Sequence, residues 1–145
     1  QPVFIDLDMN AVEPAIGAHR MDKVYAWKSM LDMGIHTSGG SDAPVVSFDA
    51  MENIYFAVTR KNISGQPQEG WIPSEKMSVD EAVKLFTKNA AYASYTEKEN
   101  GTIETGKNAD LVVLEKDIYS IDPDEIKTVK VDMTVLGGKV VFERE

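Results

Sequence analysis

Cysteine is absent from the chain, and only two of its 145 residues are histidines. The lack of cysteine excludes disulfides, thiolate metal ligands and a cysteine nucleophile. His19 and His36 form neither an HxH nor an HExxH spacing, which leaves the sequence without a histidine set for zinc. No apolar run approaches the ~18 residues of a membrane span, and no basic-then-apolar leader precedes the first motif. We therefore expect a cytoplasmic protein.

Basic residues are also scarce, since 15 lysines and arginines stand against 24 acidic residues and give a net charge of −9. Such a balance repels phosphate backbones and anionic lipid, so we expect neither nucleic acid nor membrane as a partner. The length is that of one domain, and 43% hydrophobic residues suffice for a core. Gln1 stands where a start methionine is usual, and we expect a processed chain or a piece of a longer protein.

Helix and strand signals alternate over residues 1–97, the pattern of βα units. A short apolar run predicts a buried strand over residues 2–7, and a loop is expected over residues 13–20. Residues 35–38 are expected to form a strand that leads into the glycines. Gly34 is placed where a helix C-terminus favours glycine.

Two helices carry clear start signals. Asp49, with Glu52 three residues later, predicts the first, and the capping box of Ser78 and Glu81 predicts the second. Residues 61–77 between them show no periodicity, which is typical of a functional cover or a disordered loop. Trp71 within that segment favours a packed cover.

Residues 98–145 have an all-β texture. We predict a buried strand over residues 109–114 and a half-buried strand over the alternating residues 129–135. Gly137 and Gly138 predict a two-residue hairpin turn into a return strand over residues 140–142. The chain therefore divides into an α/β part, 1–97, and a β part, 98–145.

The stretch GIHTSGGSDAPV, residues 34–45, is the main candidate for chemistry. Gly, Ser, Asp and Pro are ordinary turn residues, so one interpretation is a structural turn. The other depends on placement, because catalytic side chains of parallel α/β folds gather where a strand ends. Asp42 would lie at that end, and Gly39 and Gly40 would let backbone and ligand approach closely. A carboxylate there can bind a metal or accept a proton from water.

Other candidate residues are weaker. His36 favours a packed or hydrogen-bonded role, and His19 favours a surface position. Arg20 and Arg60 could bind an anionic substrate group, although lone arginines are more often solvated or paired with local acids. The sequence has no GxSxG elbow and no phosphate loop, which argues against serine-hydrolase and nucleotide-binding chemistry.

Four segments, taken in order, resemble the C-terminal end of the amidohydrolase superfamily. The similarity covers nearly the whole chain and is greatest to the amidohydrolase-3 branch, which includes N-substituted formamide deformylase-like proteins. The segments that carry it are GSDAPV (40–45), TKNAAYA (87–93), GTI with GKNADLVVL (101–114) and TVLGGKVV (134–141).

The resemblance implies the last βα units of a metal-dependent (β/α)8 barrel, followed by C-terminal strands of a small β-sandwich. It implies that Asp42 ends the eighth barrel strand, ligates the metal and acts as general base toward water. Gly40 and Ser41 become candidate substrate-binding residues. Trp71 is a further candidate, with a packing role as the alternative. The family's HxH pair and its other metal ligands have no counterpart here, which implies a C-terminal fragment.

Two functions remain open. In the first, the full-length parent is a metal-dependent hydrolase, with zinc as the expected metal, that cleaves a C–N (amide-type) bond of a small molecule. The fragment alone is then expected to hold no catalytic metal and to be inactive. In the second, the chain is a non-catalytic interaction or regulatory module, similar to exoenzyme-regulation-type relatives. Because two barrel strands have unpaired edges, we also expect the fragment to self-associate.

Overall fold

The computed structural model describes residues 1–145, from Gln1 to Glu145. Five α-helices precede a small antiparallel sheet, and three 3-10 turns lie at Ala18–Lys23, Pro73–Glu75 and Pro123–Thr128. None of the helices combines the length and apolar character needed to cross a membrane. The helices are α1 (Phe4–Ile16), α2 (Trp27–Asp32), α3 (Ala50–Thr59), α4 (Val79–Phe86) and α5 (Lys88–Ala93), and the strands are β1 (Leu111–Leu114), β2 (Val131–Leu136) and β3 (Lys139–Glu143).

Helices α3 and α4 begin at the predicted caps. The Asp49 carboxylate accepts hydrogen bonds from the backbone N–H groups of Met51, at 2.8 Å, and Glu52, at 3.4 Å. Ser78 and Glu81 form a complete capping box, in which each side chain accepts from the backbone N–H of the other. Both predictions are confirmed, because these side chains satisfy N–H groups that a helix start leaves without partners.

The strand predicted over residues 2–7 is wrong, because residues 2 and 3 lie in a turn and residues 4–7 belong to helix α1. Ile5 is fully buried, and Phe4 and Met9 pack against the same core. These positions follow helical spacing, but a short apolar run does not distinguish a strand from a buried helix. The expected loop over residues 13–20 is also wrong in part, because α1 continues through Pro14 to Ile16.

The strand predicted over residues 35–38 is also wrong, since the segment has no regular secondary structure. A parallel strand needs a neighbouring strand to receive its backbone hydrogen bonds. The only sheet of the chain is formed by β1, β2 and β3 and is antiparallel. Backbone groups of residues 37–39 instead bond to α4 and α5, as described below. Gly34 has the positive φ, 78°, expected just after helix α2.

The three strands lie in the order β1-β2-β3, and the hairpin predicted at Gly137 and Gly138 is confirmed. Asp110 stabilises the turn, because its carboxylate accepts the Gly137 N–H at 2.7 Å. The burial predicted for the first strand is wrong, since Val112 and Val113 remain 57% and 47% exposed. The sheet has no second layer within this chain that could cover those side chains.

The hydrophobic core surrounds α3, in which Ile54, Tyr55 and Phe56 are buried. It also takes in apolar residues from the start of the chain, from α4 and from the turn that precedes β2. The core consists of Val3, Ile5, Met51, Ile54, Tyr55, Phe56, Ala57, Val58, Met77, Ala82, Leu85, Ile118, Ile126 and Val129.

Residues 61–77 form a packed cover, as the presence of Trp71 in this segment predicted. The backbone N–H of Trp71 bonds to the Arg60 carbonyl at 2.6 Å, and that of Met77 bonds to Ala57 at 3.1 Å. Gly70 is buried with φ +80°, and a Cβ there would lie 2.3 Å from the Thr59 carbonyl oxygen. Only glycine therefore fits this close approach.

Candidate active site

Asp42 lies at the surface, in a turn between α2 and α3. The turn is closed by a hydrogen bond from the Val45 N–H to the Asp42 carbonyl at 2.9 Å. Asp42 has φ +56°, a left-handed conformation that aspartate adopts more readily than most residues. Its exposed carboxylate is accessible to a molecule from solvent.

Residues 36–39, which lead to Asp42, are fixed to helices α4 and α5. The Asn89 side-chain amide donates to the Thr37 carbonyl oxygen at 2.9 Å. The Gly39 N–H donates to the Leu85 carbonyl at 2.9 Å, which satisfies a carbonyl in the last turn of α4. His36 stacks on Tyr92 with ring centroids 4.2 Å apart. Three successive contacts therefore hold the approach to Asp42.

The two glycines before Asp42 have different surroundings. A Cβ on Gly39 would lie 2.7 Å from the Phe86 ring and 3.0 Å from the Leu85 Cβ. A Cβ on Gly40 would meet nothing within 4 Å. Gly39 thus permits close packing on α4, whereas open space adjoins Gly40. Ser41 is half-buried beside that space.

The residues present do not by themselves fit a catalytic metal. No three His, Cys, Asp or Glu side chains come together in a group that could hold an ion. His36 is stacked on Tyr92, and His19 is exposed on the turn that follows α1. Zinc sites use about three protein ligands, and within the turn only Asp42 offers one. Further ligands would have to come from outside this chain.

Trp71 lies in a cluster of aromatic rings around Arg60. Tyr25 and Trp27 stack with centroids 4.9 Å apart, and Tyr25 meets Trp71 edge-on at 5.7 Å. The Arg60 guanidinium lies over both tryptophans, 5.2 Å from the Trp27 ring and 5.4 Å from the Trp71 ring. This geometry is that of a packed cation–π cluster, and the substrate-binding role of Trp71 stays a prediction.

Arg60 is neither solvated nor paired directly with an acid, which corrects both ordinary expectations for a lone arginine. It is fully buried, and its Nε and Nη1 donate to the carbonyls of Trp71 and Tyr25, each at 2.9 Å. Its Nη2 has no hydrogen-bond partner. Burial lowers the pKa of Arg60 to about 10, against the opposing influence of Glu75. A guanidinium enclosed in this way is not accessible to an anionic substrate group.

Two acidic residues complete the surroundings of this cluster. The Tyr25 hydroxyl donates to Asp8, and burial, followed by that bond, raises the pKa of Tyr25 to about 12. The buried Glu75 carboxylate accepts the backbone N–H of Ser29 at 3.0 Å and also the Ser29 hydroxyl. Glu75 therefore stabilises the first turn of α2, where a negative charge is favourable.

The GKNADLVVL motif has a structural role. The Lys107 ammonium donates to the Glu97 carbonyl at 2.8 Å and to the Thr102 hydroxyl at 2.5 Å. The Asn108 side chain donates to Asn100 at 2.8 Å. These bonds fix the turn between α5 and β1.

The contacts of two residues near Asp42 were not predicted from the sequence. No motif pointed to a role for Asn89, although an asparagine inside a short helix is a weak signal for a side chain that bonds elsewhere. Gly39 was expected to leave room for a ligand, but the Phe86 ring packs against it and occupies that space. Neither contact can be derived from spacing, because both join segments far apart in the chain.

Comparison with known proteins gives a consistent result. A model of the Amidohydrolase family matches residues 1–142. The Bacillus subtilis (strain 168) protein YtcJ, provisionally named an amidohydrolase, is 38% identical over 144 residues, 99% of this chain and 27% of YtcJ. The N-substituted formamide deformylase of Arthrobacter pascens is 36% identical over 122 residues, 84% of this chain and 22% of that enzyme.

A solved structure is also similar. The crystal structure of an amidohydrolase from Thermotoga maritima MSB8 superimposes with a TM-score of 0.57 at 25% identity. The match covers 80% of this chain and 25% of the Thermotoga chain. The chain thus spans about a quarter of the length of the relatives it matches.

Proposed function

The chain belongs to the amidohydrolase family, and on that premise we propose that the full-length protein hydrolyses a C–N bond of a small molecule. The observation that carries the proposal is the presentation of Asp42. Its carboxylate is exposed at the end of a segment fixed to two helices, and open space adjoins Gly40. A side chain that accepts protons during catalysis needs both this access and this fixed approach.

In the proposed reaction Asp42 acts as general base. Its carboxylate takes a proton from a water molecule as the water oxygen forms a bond to the substrate carbonyl carbon. The same proton then passes to the leaving nitrogen as the C–N bond breaks, and an acid and an amine are the products. Proton transfer by a positioned side chain contributes about 10²- to 10⁴-fold in rate. Asp42 returns to its starting state after each turnover.

Amidohydrolases generally use a divalent metal, and we propose zinc for the full-length protein, with Asp42 as one ligand. The residues of this chain do not complete such a site, as described above, so the remaining ligands belong to other parts of the protein. We propose on the same ground that the 145-residue chain alone is inactive.

The substrate would lie against the turn before Asp42. Gly40 offers backbone beside open space, and Ser41 offers a hydroxyl at its edge. We propose both as substrate-binding residues, with Trp71 as a third. The proposal for Trp71 depends on a change in its surroundings in the full-length protein, because Tyr25 and Arg60 pack against it here.

The architecture of the whole protein follows from the same premise. We propose that residues 1–97 contribute the last βα units of a (β/α)8 barrel and that residues 98–145 contribute strands of a small β-sandwich. The backbone groups of His36 and Ser38 make no hydrogen bond within this chain, which is compatible with pairing to a barrel strand on that side. Exposed valines on both faces of the three-stranded sheet support a second layer over it.

A non-catalytic interaction module is the second candidate. It is favoured by the exposed apolar sheet, in which Val112, Val140 and Val141 are each more than half exposed. Exposed apolar surface on the faces of a sheet is typical of contact sites. We propose that the isolated chain self-associates through this sheet.

The first candidate is tested by a substrate panel on the purified full-length protein. The panel contains N-substituted formamides and other amides, with a carboxylic ester and a phosphate ester as controls. We expect release of amine and carboxylate from at least one amide, lost in the Asp42→Asn variant. If no amide is cleaved while the protein is folded and loaded with zinc, the hydrolase proposal is wrong and the interaction module is favoured.

A further inference from the structure

We propose that Asn89 is a positioning residue, which sets the place of the Asp42 carboxylate through the backbone of residues 37–39. The inference rests on the proposed role of Asp42 as general base and assigns to Asn89 no contact with substrate. Its basis is one hydrogen bond between segments 52 positions apart, from Asn89 Nδ2 to the Thr37 carbonyl oxygen at 2.9 Å.

Helix formation alone does not explain why an asparagine occupies position 89. It is the second residue of α5, and asparagine is among the weaker helix formers because its side chain competes for backbone groups. α5 follows a sharp break at Thr87, where φ is −124° and ψ is −96°. The break turns the start of α5 toward residues 36–39, and from there the Asn89 amide reaches Thr37.

The bond from Asn89 works together with the bond between Gly39 and Leu85. In an extended chain the C=O of one residue and the N–H of the residue two positions later point to the same side. The Thr37 carbonyl and the Gly39 N–H are such a pair, and both find partners on the helices. On this side of residues 37–39, Asn89 and the end of α4 therefore provide the hydrogen-bond partners that a neighbouring strand would otherwise provide.

The segment that helices α4 and α5 hold in place ends at Gly39, three residues before Asp42. A Cβ on Gly40 would meet nothing within 4 Å, and Asp42 lies in a turn at the surface. The direction of the chain at Gly39 thus determines where the carboxylate is presented. A displacement of about 1 Å at a catalytic group can cost on the order of 10²-fold in rate. Loss of the Asn89 amide should therefore lower kcat by more than it changes KM, although Gly40 and Ser41 next to the displaced backbone are proposed to contact substrate.

The central test uses nuclear magnetic resonance of the 145-residue chain, which makes it independent of enzyme activity. Asn89→Asp keeps the side-chain shape but replaces the donor amide with a carboxylate. Asn108→Asp is the matched control, because it makes the same change at the Asn108–Asn100 bond in an exposed turn. We expect Asn89→Asp to shift the amide signals of Gly39, Gly40 and Asp42. We also expect hydrogen exchange at Gly39 to become about fivefold faster, the equivalent of one ordinary hydrogen bond.

Unchanged amide signals at residues 39–42 in Asn89→Asp would overturn the proposal, as would equal changes in Asn108→Asp. Should Asn89→Asp fail to fold, the unmodified chain decides the question. Nuclear Overhauser contacts between the Asn89 side-chain amide protons and the backbone of Thr37 or Ser38 are expected, and their absence refutes the geometry. In the full-length protein, a fall in kcat that exceeds the change in KM supports positioning, and a change in KM alone contradicts it. Failure of the Asp42 assignment appears separately, as an Asp42→Asn variant that keeps its activity.

Discussion

The backbone N–H of Gly39 donates a hydrogen bond to the carbonyl oxygen of Leu85 at 2.9 Å. This bond joins the segment before Asp42 to the last turn of α4, across a contact that leaves no room for a side chain on Gly39. Helix α4, which begins at the capping box of Ser78 and Glu81, therefore supports the candidate catalytic turn. A change at this contact should therefore alter both the stability of the fold and the position of the turn that carries Asp42.

Gly39→Ala tests that coupling. The added methyl group would meet the Phe86 ring at 2.7 Å and the Leu85 Cβ at 3.0 Å, so the segment or α4 must move. We expect urea denaturation to show a loss of about 1 to 3 kcal/mol in the free energy of unfolding. Gly40→Ala is the matched control and should change that energy by less than about 0.5 kcal/mol, since open space adjoins it. Equal losses in the two variants would contradict the contact.

Arg60→Lys tests the buried cluster. Lysine carries its three donors on a single nitrogen, so it cannot reproduce the separate bonds that Nε and Nη1 of Arg60 make to the Trp71 and Tyr25 carbonyls. We expect the free energy of unfolding to fall by about 2 kcal/mol, the cost of a lost hydrogen bond to a buried charged group. Arg20→Lys at the exposed Arg20 should have no measurable effect in the same urea experiment. A stable Arg60→Lys variant would show that the arginine is not the centre of the cluster.

Tyr25 predicts a dependence of stability on alkaline pH. Its pKa is raised from 10.0 to about 12 in the folded chain, chiefly by burial and then by the bond to Asp8. The folded state therefore keeps a proton that the unfolded state releases. This contribution to stability is complete below pH 10 and is lost as the pH rises through about 12.

The measurement compares the unmodified chain with Tyr25→Phe in urea at several pH values between 8 and 12. We expect the difference in unfolding free energy between them to shrink as the pH rises. Tyr95→Phe, at a tyrosine that is 93% exposed, should give a difference that does not change with pH. A constant difference for Tyr25→Phe would mean that its hydroxyl is not shielded by folding.

Self-association of the isolated chain is expected to occur through the sheet. Val112 and Phe142 both lie beside Thr134 in the strand register and are about half exposed. Sedimentation velocity should show dimers or larger species, and Val112→Lys should shift the chain toward monomer. Tyr119→Lys is the control, since Tyr119 is 59% exposed but lies outside the strands. A monomer at all concentrations would contradict the proposal.

The parts of the fold that sequence predicted well are those fixed by local chemistry. Asp49 and Ser78 begin helices because their side chains satisfy nearby backbone groups, and Gly137 permits a turn that few residues adopt. Such signals lie within a few residues of the structure they determine. The family resemblance was likewise carried by short motifs in order.

The parts that sequence missed depend on distant contacts. Residues 2–7 look like a strand by composition, but Ile5 is buried in the core as part of a helix, and the Val3 N–H bonds to Asn53. Arg60 is buried because aromatic rings from two other segments enclose it. Asp42 could be identified from its motif, whereas its support by Asn89 required the folded structure.

The most direct measurement is kcat for hydrolysis of the amide that the full-length protein cleaves in the substrate panel, followed by release of its amine, in that protein and two matched variants. Asp42→Asn removes the proton acceptor, and we expect kcat to fall by about 10²- to 10⁴-fold. Asp49→Asn makes the same change seven residues later, at a helix cap that asparagine serves equally well, and kcat should stay within about twofold. Near-normal kcat in Asp42→Asn, or an equal loss in Asp49→Asn, would contradict the assignment of Asp42 as the general base.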